Sequence, residues 1–109
     1  MKISKKQGNV AVLDIGKTHV KVILFDTDKL EELAVFQTSN KIINKNPYPH
    51  FDVDALKVFI TNSLRKLSKN HKVDSIFTST HGACAALMSK GELILPVLDY
   101  EFDGPDQLK

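Results

Sequence analysis

The stretch Asn9–Asp26, NVAVLDIGKTHVKVILFD, constrains the chain more than any other. Two apolar runs, Val10–Leu13 and Val20–Phe25, flank the polar segment Gly16-Lys17-Thr18, which reads as two strands joined by a tight turn. Gly16 has no Cβ and is free to take positive φ, so an anion can come close to the peptide N–H groups around it. Thr18 adds a hydroxyl donor, and Lys17 and Lys21 bring positive charge to either side of the turn. Asp14, at the end of an apolar strand, offers a hard oxygen to a magnesium ion, directly or through the ion's waters. Together these groups make a place for a phosphate tail and its metal. The plainer alternative is an ordinary hairpin whose turn amides are satisfied by Asp14 and Thr18.

The Gly-Lys-Thr spelling also invites comparison with the P-loop. That motif needs a glycine five residues before its Gly-Lys pair and a helix after it. Ala11 occupies the glycine's place, and the β-branched run VKVILF follows, so the turn joins strand to strand.

With 109 residues the chain is one domain at most, and small for an enzyme with two substrates. The 15 basic residues are nearly balanced by 13 acidic ones, so the net charge of +2 gives no nucleic-acid or anionic-membrane footprint. Lys2, Lys5 and Lys6 lie in a loose leader, Met1–Gly8, and no apolar signal-peptide core follows them. No apolar run approaches the roughly 20 residues of a membrane-spanning helix. A single cysteine excludes an internal disulfide and a zinc framework, and a cytoplasmic location is expected.

After the hairpin, Thr27-Asp28-Lys29 turns the chain and Leu33–Thr38 reads as a third strand, antiparallel to the second, completing a meander. Residues 39–50, with two prolines, read as an irregular connection. Asp52 is placed as a helix N-cap with Asp54 in the first turn. Leu56, Phe59, Ile60, Ser63, Leu64 and Leu67 form one stripe of that helix, while Arg65, Lys66, Lys69 and Lys72 read as its solvated basic end. Val73–Ser79 is then a fourth strand, reached by a helical crossover and so parallel to the first. This parallel pairing would bring Asp14 and the Ser79-Thr80-His81-Gly82 loop to one sheet edge, where open α/β sheets bind ligands. Ala83–Met88 and Glu92–Leu98 are expected as a fifth and a sixth strand around a Ser89-Lys90-Gly91 turn, with Pro96 marking an edge, and Cys84 as a core residue. The tail from Phe102 carries no period, and His19, His50 and His71 read as surface or turn residues.

A second constellation follows. Thr80, His81 and Gly82, with Asp99, Tyr100 and Glu101 after the expected hairpin, offer donors, acceptors and a flat apolar face, as a sugar requires. His81 is equally readable as a histidine hydrogen-bonded within its loop.

Asp14, Gly16, Thr18 and Lys21 resemble the first phosphate motif of the FGGY carbohydrate kinases, in the actin, heat-shock-protein-70 and sugar-kinase superfamily. The order of elements that follows, helix, strand, His-Gly loop, hairpin and then an aromatic and acidic segment, resembles the same family over nearly the whole chain. Asp99-Tyr100-Glu101 stands where members usually carry Trp-x-Asp. The resemblance implies an α/β, ribonuclease H-like mixed sheet: a three-stranded antiparallel meander, one crossover helix, a parallel fourth strand and a C-terminal β-hairpin, in an incomplete domain. It implies transfer of the ATP γ-phosphoryl group to a sugar or polyol hydroxyl, with ATP and Mg2+ as cofactors. Under it Asp14 orients hydrated magnesium, Gly16, Lys17, Thr18 and Lys21 contact phosphate, and Thr80, His81, Gly82, Asp99, Tyr100 and Glu101 contact the sugar. The family's catalytic aspartate and adenine pocket have no counterpart in the chain, which implies an N-terminal portion, inactive alone and prone to self-association. Two other classes use the same frame: a noncatalytic actin-type nucleotide-binding module, and a ribonuclease H-like nuclease, which would need several converging carboxylates.

Overall fold

The computed structural model describes residues 8–82, 84–102 and 104. The expected leader before Gly8, Ala83 of the expected fifth strand, and most of the tail beyond Phe102 lie outside the described residues.

β1 (Asn9–Ile15), β2 (His19–Asp26) and β3 (Glu31–Ser39) form the meander, and β6 (Ser75–Thr80) joins β1 in parallel, giving the sheet order β3-β2-β1-β6. The meander turns where the sequence supplies turn chemistry: Asp26 Oδ1 accepts from the amides of Asp28 at 2.9 Å and Lys29 at 3.1 Å. Between β3 and β6 runs α1 (Val53–Asn70). Asp52 caps it, Oδ1 accepting from the Ala55 amide at 3.0 Å, and Asp54 lies in the first turn against the positive end of the dipole. At the other end the His71 amide donates to the Leu67 carbonyl at 2.9 Å, after which the chain is extended.

Alternation along the strands assigns their two faces. Ala11, Val22 and Leu24 are fully buried and pack with Leu67 of α1, and Leu13, Ala34, Phe36, Phe59, Ile60 and Leu64 close around them. Burying a leucine as completely as Leu67 is worth about 1.5–3 kcal/mol, so the stripe fixes the helix on this face. On the opposite face Val12, Ile23 and Phe25 are half-buried, Val35 is 46 % exposed and Phe77 62 % exposed. Among the described residues no element packs over them. All six residues of β6 are exposed, and its outer edge is unpaired among the described residues. No described helix is long and apolar enough to cross a membrane.

The structure corrects the reading of the remaining segments. The connection 39–50 is not wholly irregular, because β4 (Ile42–Ile43) pairs with β5 (His50–Phe51). His50 is therefore a half-buried strand residue, its Nδ1 2.7 Å from the Tyr48 carbonyl. The expected fifth and sixth strands shrink to β7 (Met88–Ser89) and β8 (Glu92–Leu93), joined through Lys90 and Gly91 at φ values of 51° and 79°. The cause is a competing partner. Pro96 has no N–H to continue a hairpin, and the chain after it lies against β5 instead. There Phe51 N–H donates to the Val97 carbonyl and Asp99 N–H to the Pro49 carbonyl, both at 2.9 Å, and the Tyr48 hydroxyl donates to the Pro96 carbonyl at 2.8 Å.

Candidate functional site

The β1–β2 turn is closed by one bond, from the Gly16 amide to the His19 carbonyl at 2.9 Å. Gly16 does not take positive φ, contrary to the expectation for this turn. Its requirement is steric: a Cβ there would stand 2.9 Å from the His19 carbonyl oxygen. Asn40, just after β3, braces the turn from outside. Its Nδ2 donates to the Gly16 carbonyl at 2.8 Å and its amide to the Thr18 carbonyl at 2.7 Å. The Gly16 and Thr18 carbonyls are thereby engaged, while the amides of Lys17 and Thr18 have no partner among the described residues. Two successive free N–H groups make a concavity suited to an anion.

Asp14, Lys21 and Ser79 occupy one rung of the sheet, Asp14 opposite Lys21 in β2 and opposite Ser79 in β6. Strand parity puts this rung on the face away from α1. Asp14 is exposed, and neither it nor Lys21 belongs to an ion pair among the described residues. No group of three potential metal ligands is found among the described residues. A lone exposed carboxylate fits magnesium, which keeps several waters and takes its other ligands from substrate phosphates. It does not fit two-metal chemistry, which needs converging carboxylates.

The other constellation gathers on the far side of the turn. Thr80 pairs with Ile15, and the His81 amide donates to the Ile15 carbonyl at 3.2 Å, so the loop leaves β6 beside the turn. The rings of Phe51, His81 and Tyr100 cluster, with centroids 5.6 Å apart for Phe51–His81, 5.4 Å for His81–Tyr100 and 6.5 Å for Phe51–Tyr100. His81 Nδ1 is buried without a hydrogen-bond partner among the described residues, a costly condition for a ring nitrogen. Gly82 has open space where a Cβ would stand, so no described neighbour demands glycine there. A cavity of ≈ 180 Å³ lies beside the cluster, lined by Ile15, Asn40, Phe51, Thr80, His81 and Cys84 among others.

Lys17 belongs to this second group by its side chain. Nζ lies 3.1 Å from Asp99 Oδ1 and 3.8 Å from Glu101 Oε2, and 5.3 and 5.6 Å from the ring centroids of Phe51 and Tyr100. Burial works to lower the Lys17 pKa, but the hydrogen bond and charge of Asp99, with the charges of Glu101 and Tyr100, outweigh it and hold the ammonium above the ordinary lysine value. Burial likewise works to raise the Asp99 pKa, but the Glu101 amide and the Lys17 ammonium hold its carboxyl below the usual range. Cys84 is half-buried at this site and not in the core; burial first, then the charge of Asp99, pushes its thiol up.

The structure thus gathers Asp14, Gly16, Thr18 and Lys21 at the turn, and Asp99, Tyr100 and Glu101 around the Lys17 ammonium, with His81 against the Tyr100 ring and Thr80 paired with Ile15. Phe51 and Asn40 were not singled out from sequence. Phe51, an aromatic beside the helix cap, carried a faint signal; Asn40 carried none.

A mixed four-stranded sheet with one crossover helix defines an α/β domain of the actin and ribonuclease H-like class. Among solved structures the chain is similar to a carbohydrate kinase from Novosphingobium aromaticivorans, at 28% identity and a TM-score of 0.82, over 94% of this chain and 21% of that one. A ligand-bound xylulose kinase from Lactobacillus acidophilus shares 19% identity (TM-score 0.67, 84% of this chain, 19% of that one). A gluconate kinase from the same organism shares 21% (TM-score 0.57, 84% and 20%). The latter two are alike in fold. The chain spans about a fifth of the length of these structures. No protein-family model and no curated protein matches it.

Proposed function

We propose that the chain is the N-terminal part of an FGGY-type carbohydrate kinase, which transfers the γ-phosphoryl group of ATP to a hydroxyl of a sugar or polyol in the cytoplasm. The observation that carries the proposal is the meeting at one sheet end of a turn with two amides and a cluster with a buried imidazole nitrogen, all three unpartnered among the described residues. The likeness to a carbohydrate kinase over 94% of the chain supports it.

Phosphoryl transfer depends on positioning and on neutralising charge more than on covalent steps by the protein. The amides of Lys17 and Thr18, with the Thr18 hydroxyl, would hold phosphate oxygens, and the missing Cβ of Gly16 keeps the turn narrow enough to present them. Lys21 would supply charge from the adjoining rung, and Asp14 beside it would hold a hydrated magnesium ion, the chemistry supplied being neutralisation of phosphate charge. On the other side His81 Nδ1 would meet an acceptor hydroxyl, Tyr100 would offer its ring to the sugar's apolar face, and Thr80, Asp99 and Glu101 would bind further hydroxyls.

The test is titration of the 15N-labelled chain with Mg-ATP. The amides of Lys17 and Thr18 are expected to shift, and Asp14→Asn to weaken the effect about tenfold, the scale of one charge-assisted contact. Equal binding by the variant would remove Asp14 from the site, and no shift at the turn would remove the kinase reading. A response to Mg-ATP with none to any sugar or polyol would favour a noncatalytic nucleotide-binding module.

A further inference from the structure

Lys17 belongs to both constellations. Its backbone forms the turn, with an amide unpartnered among the described residues, and its side chain crosses to the segment after Pro96. That segment's other contacts among the described residues include the Tyr48 hydroxyl on the Pro96 carbonyl at 2.8 Å, Cys84 Sγ at 4.0 Å from the Leu98 carbonyl, and the rings of Phe51 and His81 against Tyr100. Val97 and Asp99 are bonded to the 49–51 stretch by one backbone hydrogen bond each way, and Leu98 is 42 % exposed. The Lys17 ammonium reaches Asp99 and Glu101 together and lies within 5.6 Å of the ring centroids of Phe51 and Tyr100. The side chains of Lys17 and Asp99 are only 22% and 15% exposed, so water screens this pair less than an ordinary surface ion pair. The ammonium hydrogen-bonds Asp99 at 3.1 Å and lies at ion-pair distance, 3.8 Å, from Glu101, so its side chain is directed at the acidic segment.

We propose that Lys17 is a positioning residue that ties the turn to the Asp99-Tyr100-Glu101 segment, so that the two move as one unit. Resting on the kinase reading above, the link gives a further consequence: an anion seated at the turn and an acceptor seated against Tyr100 influence each other's binding, equally in both directions. An anion that pulls on the turn shifts the ammonium, and with it the carboxylates and the aromatic wall.

The test uses the 15N-labelled chain with magnesium pyrophosphate as the anion. Lys17→Met, which keeps the apolar stem, is expected to speed amide exchange at Phe51 and Asp99 about tenfold while leaving Val22 and Leu24 of the core unchanged. Lys17→Arg is expected to restore slow exchange. In the wild type, pyrophosphate should shift the amides of Thr18 and of Asp99–Glu101 together; in Lys17→Met it should shift Thr18 alone. Exchange at Phe51 and Asp99 unaltered by Lys17→Met overturns the proposal. So does a wild-type response confined to the turn, which would leave the phosphate reading intact. Faster exchange in the methionine variant with no response to pyrophosphate anywhere supports the link and removes the phosphate reading instead.

Discussion

Replacing Gly16 by alanine separates the two reasons a glycine can be required. Where the backbone is compatible with an L residue, Gly→Ala stabilises a protein by about 0.4–1 kcal/mol, because the unfolded chain loses freedom. Gly16 has no positive φ, so conformation alone predicts this gain. Sterics predict the opposite. The new Cβ would sit 2.9 Å from the His19 carbonyl oxygen, a backbone atom that cannot swing aside and that also accepts the hydrogen bond closing the turn. Relieving the contact means lengthening that bond, worth about 0.5–1.5 kcal/mol, or absorbing an overpacking cost of about 1–3 kcal/mol. Asn40 resists the first route, because it holds the Gly16 and Thr18 carbonyls in place. At the centres of these ranges an overpacking cost of about 2 kcal/mol exceeds an entropic gain of about 0.7 kcal/mol, leaving a net destabilisation of about 1.3 kcal/mol. With a urea slope of about 1–3 kcal/mol/M, the midpoint should fall by about 0.4–1.3 M, read by far-ultraviolet circular dichroism. The same variant should lose the response of Lys17 and Thr18 amides to Mg-ATP. A midpoint equal to or above the wild type would refute the steric argument.

Leu67→Ala should cost about 2–5 kcal/mol in urea unfolding, since the side chain is 1% exposed at the centre of the helix–sheet contact. The Lys17–Asp99 pair should contribute to stability between the ordinary values of 3.8 and 10.5. Asp99 is held low, so its share is lost as pH falls through its lowered value; Lys17 is held high, so its share is lost as pH rises through its raised one. The difference in Tm between the wild type and Lys17→Met should therefore be largest inside that window and shrink at both ends. β6, reading SIFTST, has no charge or proline to blunt its edge, and Phe77 is 62 % exposed beside it. Sedimentation velocity should show concentration-dependent association that Phe77→Lys reduces; a monomer at every concentration would count against this.

The sheet and helix were legible because they rest on local periodicity. The meander alternates, and α1 carries a stripe and a capping aspartate, so β1, β2, β3, α1 and β6 fall close to where the pattern puts them. The region after Gly82 was not, and the reason is physical. Pairing of the 97–99 stretch with the 49–51 stretch joins segments far apart in sequence, and neither is long enough to carry a period. The same holds for Lys17. Its place in the turn could be read from the chain, but the direction of its side chain is set by Asp99 and Glu101, which only the folded chain brings near. Of the two reasons sequence offered for Gly16, positive φ is not taken, while the missing Cβ matters because of a crowded carbonyl that sequence does not reveal.

Register explains how the proposed phosphate and acceptor sites could share one hairpin. Asp14 and Ser79 share a rung, as do Ile15 and Thr80, and successive rungs face opposite sides of the sheet. The acidic residue and Lys21 therefore emerge on the face away from α1, while Ile15 and Thr80 lead to the Phe51–His81–Tyr100 cluster near the start of the helix. Donor and acceptor would approach from two sides of the turn, with only Gly16 and the unpartnered amides between them. A one-residue slip of β6 against β1 would put Thr80 beside Asp14 and turn His81 from the aromatic cluster, merging two sites into none. The spacing Asp-x-Gly in β1 and Ser-Thr-His in β6 is therefore meaningful only as a pair. Inserting one residue before Ser75 should be accommodated in the 71–74 connection if β6 keeps its register, with His81 still shielded. If the insertion instead shifts β6, the His81 ring resonances should move to their solvent-exposed positions while the β1–β2 amides stay in place.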